Sequence, residues 1–220
     1  MRYDLIIFDF DGVVADSEVL SNQLLADFLS SLGKPTTIED SMRLFMGRRY
    51  EDTKRAVADW LGKPLPATFD EDYQAWSRPA MRSQVGPVAG VAAFLDSTRS
   101  HRRCIASSSS HSWLDHCVDK FGFRDHFGRH LVSGTEVKNG KPAPDIFLLA
   151  AVRMGVAADR CLVLEDSPAG ITGARAAGMR AIGFLGGSHI REDHRQRLEA
   201  AGAHAIAGSF ADVEALLRVA

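Results

Sequence analysis

The stretch Tyr3-Asp4-Leu5-Ile6-Ile7-Phe8-Asp9-Phe10-Asp11-Gly12-Val13 ends an apolar run with two carboxylates spaced one residue apart. An unbroken apolar run of this length predicts a buried strand of a parallel sheet. Successive strand residues face opposite ways, so Asp9 and Asp11 project from the same side of the chain end. Two carboxylates that close repel each other, and the pair requires either a neutralising cation or a retained proton. Either outcome serves chemistry, as a metal-bound nucleophile beside a proton donor.

Working outward, three further apolar runs followed by turn residues predict strands over residues 104–106, 161–164 and 180–184, with weaker ones at 131–132 and 204–207. Helical patterns separate them. Strands and helices alternating on this scale predict an α/β fold, a doubly wound parallel sheet whose sites lie beyond the carboxyl ends of its strands. Asp9 and Asp11, Ser107, and the Glu165-Asp166 pair all fall at such ends.

Residues 17–84 break the rhythm. Helical patterns run over 18–32, 38–46, 51–61 and 69–82, the first three closed by Gly33, Gly47 and Gly62, where a helix end favours a left-handed residue. Thr37 with Asp40 forms a capping pair for the second helix, and Pro79 is expected to kink or split the fourth. This stretch reads as a small helical cap inserted after the first strand. The core domain would then comprise residues 1–16 and 85–220, and the cap 17–84.

Of the 220 residues, 45% are hydrophobic and 25% charged, and the formal net charge is -2. These values suit a globular protein of ordinary composition and give no footprint for a nucleic-acid partner. The Arg99-Ser100-His101-Arg102-Arg103 cluster reads as a solvated helix end leading into a strand. Three cysteines without a CxxC pattern read as buried thiols in a reducing compartment. No apolar run reaches membrane-spanning length and no leader is evident, so the expectation is a cytoplasmic protein with no membrane association, monomeric by default.

Three other segments carry chemistry. Ser107-Ser108-Ser109-Ser110 precedes a helical pattern, and Ser107 and Ser108 offer hydroxyls and free backbone N–H groups to an anion. In Gly140-Lys141-Pro142-Ala143-Pro144-Asp145, two prolines stiffen the approach of a lysine able to deliver one fixed positive charge to phosphate oxygens. It is not a nucleotide P-loop, since no GxxxxGK precedes it and no Ser or Thr follows Lys141. In Leu164-Glu165-Asp166-Ser167-Pro168-Ala169-Gly170, a strand again ends in acids, and Ser167-Pro168 starts the next helix.

Acidic pair, hydroxyls, lysine and acidic pair, in that order, resemble the haloacid dehalogenase-like superfamily. Asp9-Phe10-Asp11-Gly12-Val13-Val14-Ala15-Asp16-Ser17-Glu18, with the Lys141 and Glu165-Asp166 segments, is similar to its β-phosphoglucomutase and sugar-phosphate phosphatase subgroup. The resemblance implies a Mg²⁺-dependent phosphatase acting on a small phosphorylated metabolite. It implies Asp9 as nucleophile and Asp11 as general acid and base, with Ser107, Ser108 and Lys141 around the phosphoryl group. The metal would be held by the Asp9 side chain, the Asp11 backbone carbonyl and Asp166, with Glu165 behind them or as an alternative ligand. Asp11 also argues against a dehalogenase of haloalkanoic acids, which needs no such proton donor.

Arg48, Arg49 and Tyr50 are the expected cap contacts to substrate, ahead of Arg78. Trp60 and Trp76 read as cap core, and His126 with His130 does not make a metal site. A phosphosugar mutase is the alternative. Residues 69–82 contain no lysine and position 110 is serine, where mutase-like sequences often carry lysine, which favours the phosphatase. Val13, where many phosphatases carry threonine, leans the other way. The third reading, an idle binding protein on this fold, runs against the intact set of candidate residues.

Overall fold

The computed structural model of the chain describes residues 3–46 and 50–219. By internal contacts it divides into two compact units, Met1–Asp16 with Gly86–Ala220, and Ser17–Val85. Along the chain the elements are β1 (Leu5–Phe8), α1 (Glu18–Ser31), α2 (Ile38–Leu44), α3 (Tyr50–Leu61), α4 (Phe69–Gln84) and α5 (Val91–Ser97). There follow β2 (Arg102–Ser107), α6 (His111–Lys120), α7 (Arg124–Phe127), β3 (Leu131–Ser133), α8 (Asp145–Met154) and β4 (Cys161–Glu165). The chain continues through α9 (Pro168–Ala176), β5 (Arg180–Phe184), α10 (His194–Ala200), β6 (Ala205–Ala207) and α11 (Phe210–Val219).

The six strands form one sheet in the order β3-β2-β1-β4-β5-β6, and every neighbouring pair is parallel. This is the α/β doubly wound architecture. All four β1 residues are buried because helices cover both faces. Leu5 and Ile7 join the core beneath α8 and α9, with Phe147, Ala150, Ile171 and Ala174. Phe8, on the opposite face, meets Phe94 of α5 and Phe127 of α7 edge-on, at centroid distances of 6.0 and 5.5 Å. The order reverses at β1, whose neighbours are β2 and β4, and a crevice beyond the strand ends at that point is where such sheets bind ligands.

Arg102 is exposed, as expected of a solvated charge, but Arg103, contrary to expectation, is not. Arg103 is buried and donates to the carbonyls of Leu95, at 2.8 Å, and Thr98, while Arg102 donates to Met154 O. Each guanidinium therefore satisfies carbonyls exposed at a helix end, of α5 and α8 respectively.

The helical unit has its own core, built on Leu25, Phe28, Leu29, Phe45, Val57 and Phe69. Thr37 and Asp40 form the expected capping box on α2, and α1 and α3 give way to Gly33 and Gly62 at positive φ. α2 ends at Leu44, earlier than expected, and Gly47 lies outside the described residues. α4 runs through Pro79 without a break and on to Gln84. Trp60 packs against the core and donates to Thr36 Oγ1 at 2.9 Å. Trp76 touches Phe28 but is 49% exposed, so it lies at the margin of that core.

Candidate active site

β1 carries Asp9 to the sheet's carboxyl edge, and its N–H extends the pairing with β4 by donating to Leu164 O at 2.9 Å. Asp9 thus sits beside Glu165 and Asp166 at the end of β4. One oxygen from each of the three acids lies within 4.8 Å of the others, and all three residues are buried. Lys141 closes the group. Its Nζ stands 2.5 Å from Asp9 Oδ1 and 2.7 Å from Glu165 Oε2, donating to both. The sequence segments read as separate strand ends converge here, as far as Asp9, Lys141, Glu165 and Asp166 are concerned.

The electrostatics are unbalanced. Burial, with repulsion from Glu165 and Asp166, holds the Asp9 carboxyl well above the ordinary aspartate range, although Lys141 pulls it down. Burial lowers the Lys141 ammonium, but attraction to Asp9 and Glu165 outweighs that and holds it above the ordinary lysine value. We take Lys141 as charged, because two carboxylates bond it directly. One ammonium against three buried acids leaves negative charge in excess among these four groups when all are ionised. A small hard divalent cation carries that charge and takes carboxylate oxygens, so the donor set fits Mg²⁺.

Glu165 is fixed on every side. Its Oε1 accepts from the N–H and hydroxyl of Ser167, at 3.1 and 2.8 Å, while Oε2 takes Lys141. A Cβ at Gly170 would lie 1.9 Å from its carboxyl carbon. Ser167 in turn caps α9, accepting from Gly170 N, with Pro168 in the first turn. Such an immobilised carboxylate serves best as the anchor of Lys141.

Asp11 is held by a different pair of donors. Ser109 Oγ donates to its Oδ2 at 2.5 Å, and Trp113 Nε1 donates to its Oδ1 at 3.0 Å. The turn that carries it is tight: Gly12 lies at φ +85°, Gly12 N donates to Ala15 O, and Asp11 bridges to Ala15. Ser107 is the last residue of β2, buried, two residues beyond the one that pairs with Phe8. Its hydroxyl accepts the Ser109 N–H at 3.1 Å. Ser108 is exposed. Arg48 and Arg49 lie outside the described residues, as does the side chain of Tyr50.

Several residues near this centre were not singled out from the sequence. Ser109 and Trp113 hold Asp11 across about a hundred residues of chain, which no local pattern reveals. His189, in the loop after β5, places Nε2 2.9 Å from Asp166 Oδ2. His194, at the start of α10, places its Nε2 2.5 Å from the Asp166 carbonyl. The signal for His189 was present: Gly186-Gly187-Ser188-His189 follows an apolar strand, as the other candidate segments do. The helical unit also holds a cavity of about 260 Å³ whose lining includes Glu18, Asn22, Lys54 and Tyr73.

A family model for haloacid dehalogenase-like hydrolases matches residues 6–184. The chain belongs to the haloacid dehalogenase-like hydrolase family. This hydrolase is 30% identical over 200 residues to a phosphorylated carbohydrates phosphatase of Thermotoga maritima, covering 90% of this chain and 91% of the relative. Among solved structures it resembles a haloacid dehalogenase-like protein of unknown function from Agrobacterium tumefaciens, 37% identical, with a TM-score of 0.88 and coverage of 99% and 98%. A hydrolase of the same family from Deinococcus radiodurans R1, with bound phosphate and sodium, is 27% identical, with a TM-score of 0.84 and coverage of 99% and 96%. The hydrolase is thus an enzyme of the phosphatase type, and among its described residues no helix is long and apolar enough to cross a membrane.

Proposed function

We propose that the chain hydrolyses a small phosphate monoester, of the sugar phosphate class, through an aspartyl-phosphate on Asp9. The observation that carries this reading is the Lys141 ammonium bonded to Asp9 within a buried cluster of three carboxylates. In this reading an Asp9 oxygen attacks phosphorus, the P–O bond to the alcohol breaks, and Asp11 delivers a proton to the departing oxygen. Asp11 then takes a proton from a water that attacks the same phosphorus, which frees Asp9 and releases phosphate.

Lys141 and the Ser107 hydroxyl, with neighbouring backbone N–H groups, hold the oxygens of the phosphoryl group, where positioning and charge supply most of the rate. Asp9, Asp166 and the Asp11 main-chain carbonyl would hold Mg²⁺. When bound, the ion neutralises the acids and the charge of the transferring group. The helical unit would serve as the cap that selects the substrate, with Arg48 and Arg49 as candidate contacts.

A phosphatase is favoured over a mutase because α4 contains no lysine and position 110 is serine. The similarity to a phosphatase of phosphorylated carbohydrates points to a sugar phosphate. The test is release of inorganic phosphate from a generic aryl phosphate and then from a panel of phosphorylated sugars and sugar acids. Phosphate release that needs Mg²⁺ and falls at least about 10³-fold in Asp9→Asn supports the reading. Comparable turnover in Asp9→Asn removes Asp9 as nucleophile. Isomerisation of a hexose 1-phosphate, primed by its bisphosphate and without free phosphate, would establish the mutase instead.

A further inference from the structure

The loop after β5 is built around Asp166, the acid that follows β4. Leu185-Gly186-Gly187-Ser188-His189 leaves the carboxyl end of β5, which pairs with β4 through Glu165 and Gly183. His189 is 3% exposed and its Nε2 lies 2.9 Å from Asp166 Oδ2. A carboxylate oxygen only accepts, so the imidazole donates Nε2–H to it.

The surroundings leave that ring one place to be. A Cβ on Gly187 would stand 2.7 Å from both Cε1 and Nδ1 of His189, and 2.8 Å from the Gly12 carbonyl oxygen. A Cβ on Gly12 would stand 2.0 Å from Asp166 Oδ2 and 2.8 Å from His189 Cε1. Two glycines from different loops therefore open the space in which imidazole and carboxylate meet. The loop is also tied down beside them: Asp16 Oδ1 accepts from Ser188 N at 3.1 Å and from Ser188 Oγ at 2.8 Å. Behind the pair, the His194 ring stands edge-on to His189 at 5.7 Å and reaches the Asp166 carbonyl. Asp166 is thus held at both its side chain and its main chain.

We propose that His189 is a positioning residue for Asp166, fixing the orientation of that carboxylate through Nε2–H and so setting the affinity of the three-acid cluster for a divalent cation. The inference rests on the reading of Asp166 as a metal ligand. A burial role alone would be filled by any side chain of similar volume, whereas an orienting role requires a donor at the Nε2 position. Partners that orient metal ligands in this way change metal affinity by about 10- to 100-fold when removed.

The test is calorimetric titration of the full chain with MgCl₂ at one pH, for wild type, His189→Leu, His189→Gln, His189→Asn and Asp166→Asn, with a thermal melt of each. Gln carries an N–H donor close to the imidazole Nε2 position, while Asn falls short of it. The expected result is a roughly 10- to 100-fold weaker Mg²⁺ affinity in His189→Leu and an affinity within about threefold of wild type in His189→Gln. Unchanged affinity in folded His189→Leu overturns the proposal, as does loss in His189→Gln equal to that in His189→Leu. If His189→Leu does not fold, the amides decide: retention in Gln with loss in Asn supports the role, and equal affinities overturn it. Wild-type affinity in Asp166→Asn, or no Mg²⁺ binding by wild type, instead sinks the metal reading itself and this inference with it.

Discussion

At Asp9 the chain places a carboxyl where burial and two neighbouring acids disfavour its charge and one lysine favours it. The balance has a sign that a melt can read. A carboxyl whose folded pKa is raised contributes stability fully present below the unfolded value and lost as pH rises through the folded one. In EDTA, the Tm of Asp9→Asn minus that of wild type should therefore grow from acid towards neutral pH. Adding Mg²⁺ should raise the wild-type Tm and narrow the gap. A difference that stays flat with pH would mean that Lys141 fully offsets the other two acids. Asp11 offers a second check. Replacing Trp113 by Phe removes one of the donors that hold its carboxylate, and a lost hydrogen bond to a charged group is worth about 1.5–3 kcal/mol. We expect kcat to fall by roughly tenfold or more with Mg²⁺ affinity unchanged. An unaltered kcat would show that the indole does not position Asp11. The reading of Asp9, Glu165 and Asp166 as one cluster was available from the sequence, since each stands at the end of an apolar strand, whereas Lys141 was marked by the proline-stiffened segment that carries it. Ser109 and Trp113 were not legible, because each is placed only through a partner far away in the chain, whereas His189 carried a signal in the Gly-rich segment after β5 that went unread.

Among the elements, the ends were the most readable features. Thr37 with Asp40, and Ser167 with Pro168, act as caps because their hydrogen bonds close within three residues. Arg103 was misread for the opposite reason, and the exposed Arg102 makes a contact that no local pattern shows. Arg102 serves a helix end 52 residues away, and Arg103 turns back onto the helix before its strand. Pro79 failed to interrupt α4, which runs on to Gln84. The junction between β3 and α8 makes its own prediction. Glu136 caps the turn after β3, receives Arg153 of α8 at 2.5 Å and lies 2.6 Å from His111 Nε2. Arg153 first, then the Ser133 N–H and His111, lower its carboxyl to about 2 against burial. A depressed carboxyl contributes stability above its unfolded pKa, lost as pH falls through the folded one. Glu136→Gln should thus cost about 1 kcal/mol or less near neutrality, since Arg153 is 43% exposed and solvent screens the pair. Denaturant melts should show that cost shrinking between about pH 4.5 and pH 2. A cost independent of pH would assign the contribution to the neutral cap instead.

For the whole molecule, alternation of strand and helix was enough to anticipate a six-stranded parallel sheet, because a doubly covered sheet needs unbroken apolar strands. The stretch without strands is the helical unit Ser17–Val85, with a core of its own. What the sequence does not carry is which phosphorylated molecule is selected, since that depends on side chains brought together from several helices. The central claim is narrower: Asp9 takes the phosphoryl group. The most direct measurement is to quench the enzyme with acid while it turns over an aryl phosphate with Mg²⁺, reduce it with borohydride, and map its peptides by mass spectrometry. Reduction of an aspartyl-phosphate converts that aspartate to homoserine, and the account requires homoserine at position 9. Steady phosphate release with Asp9 unmodified and the mark at another residue would contradict it.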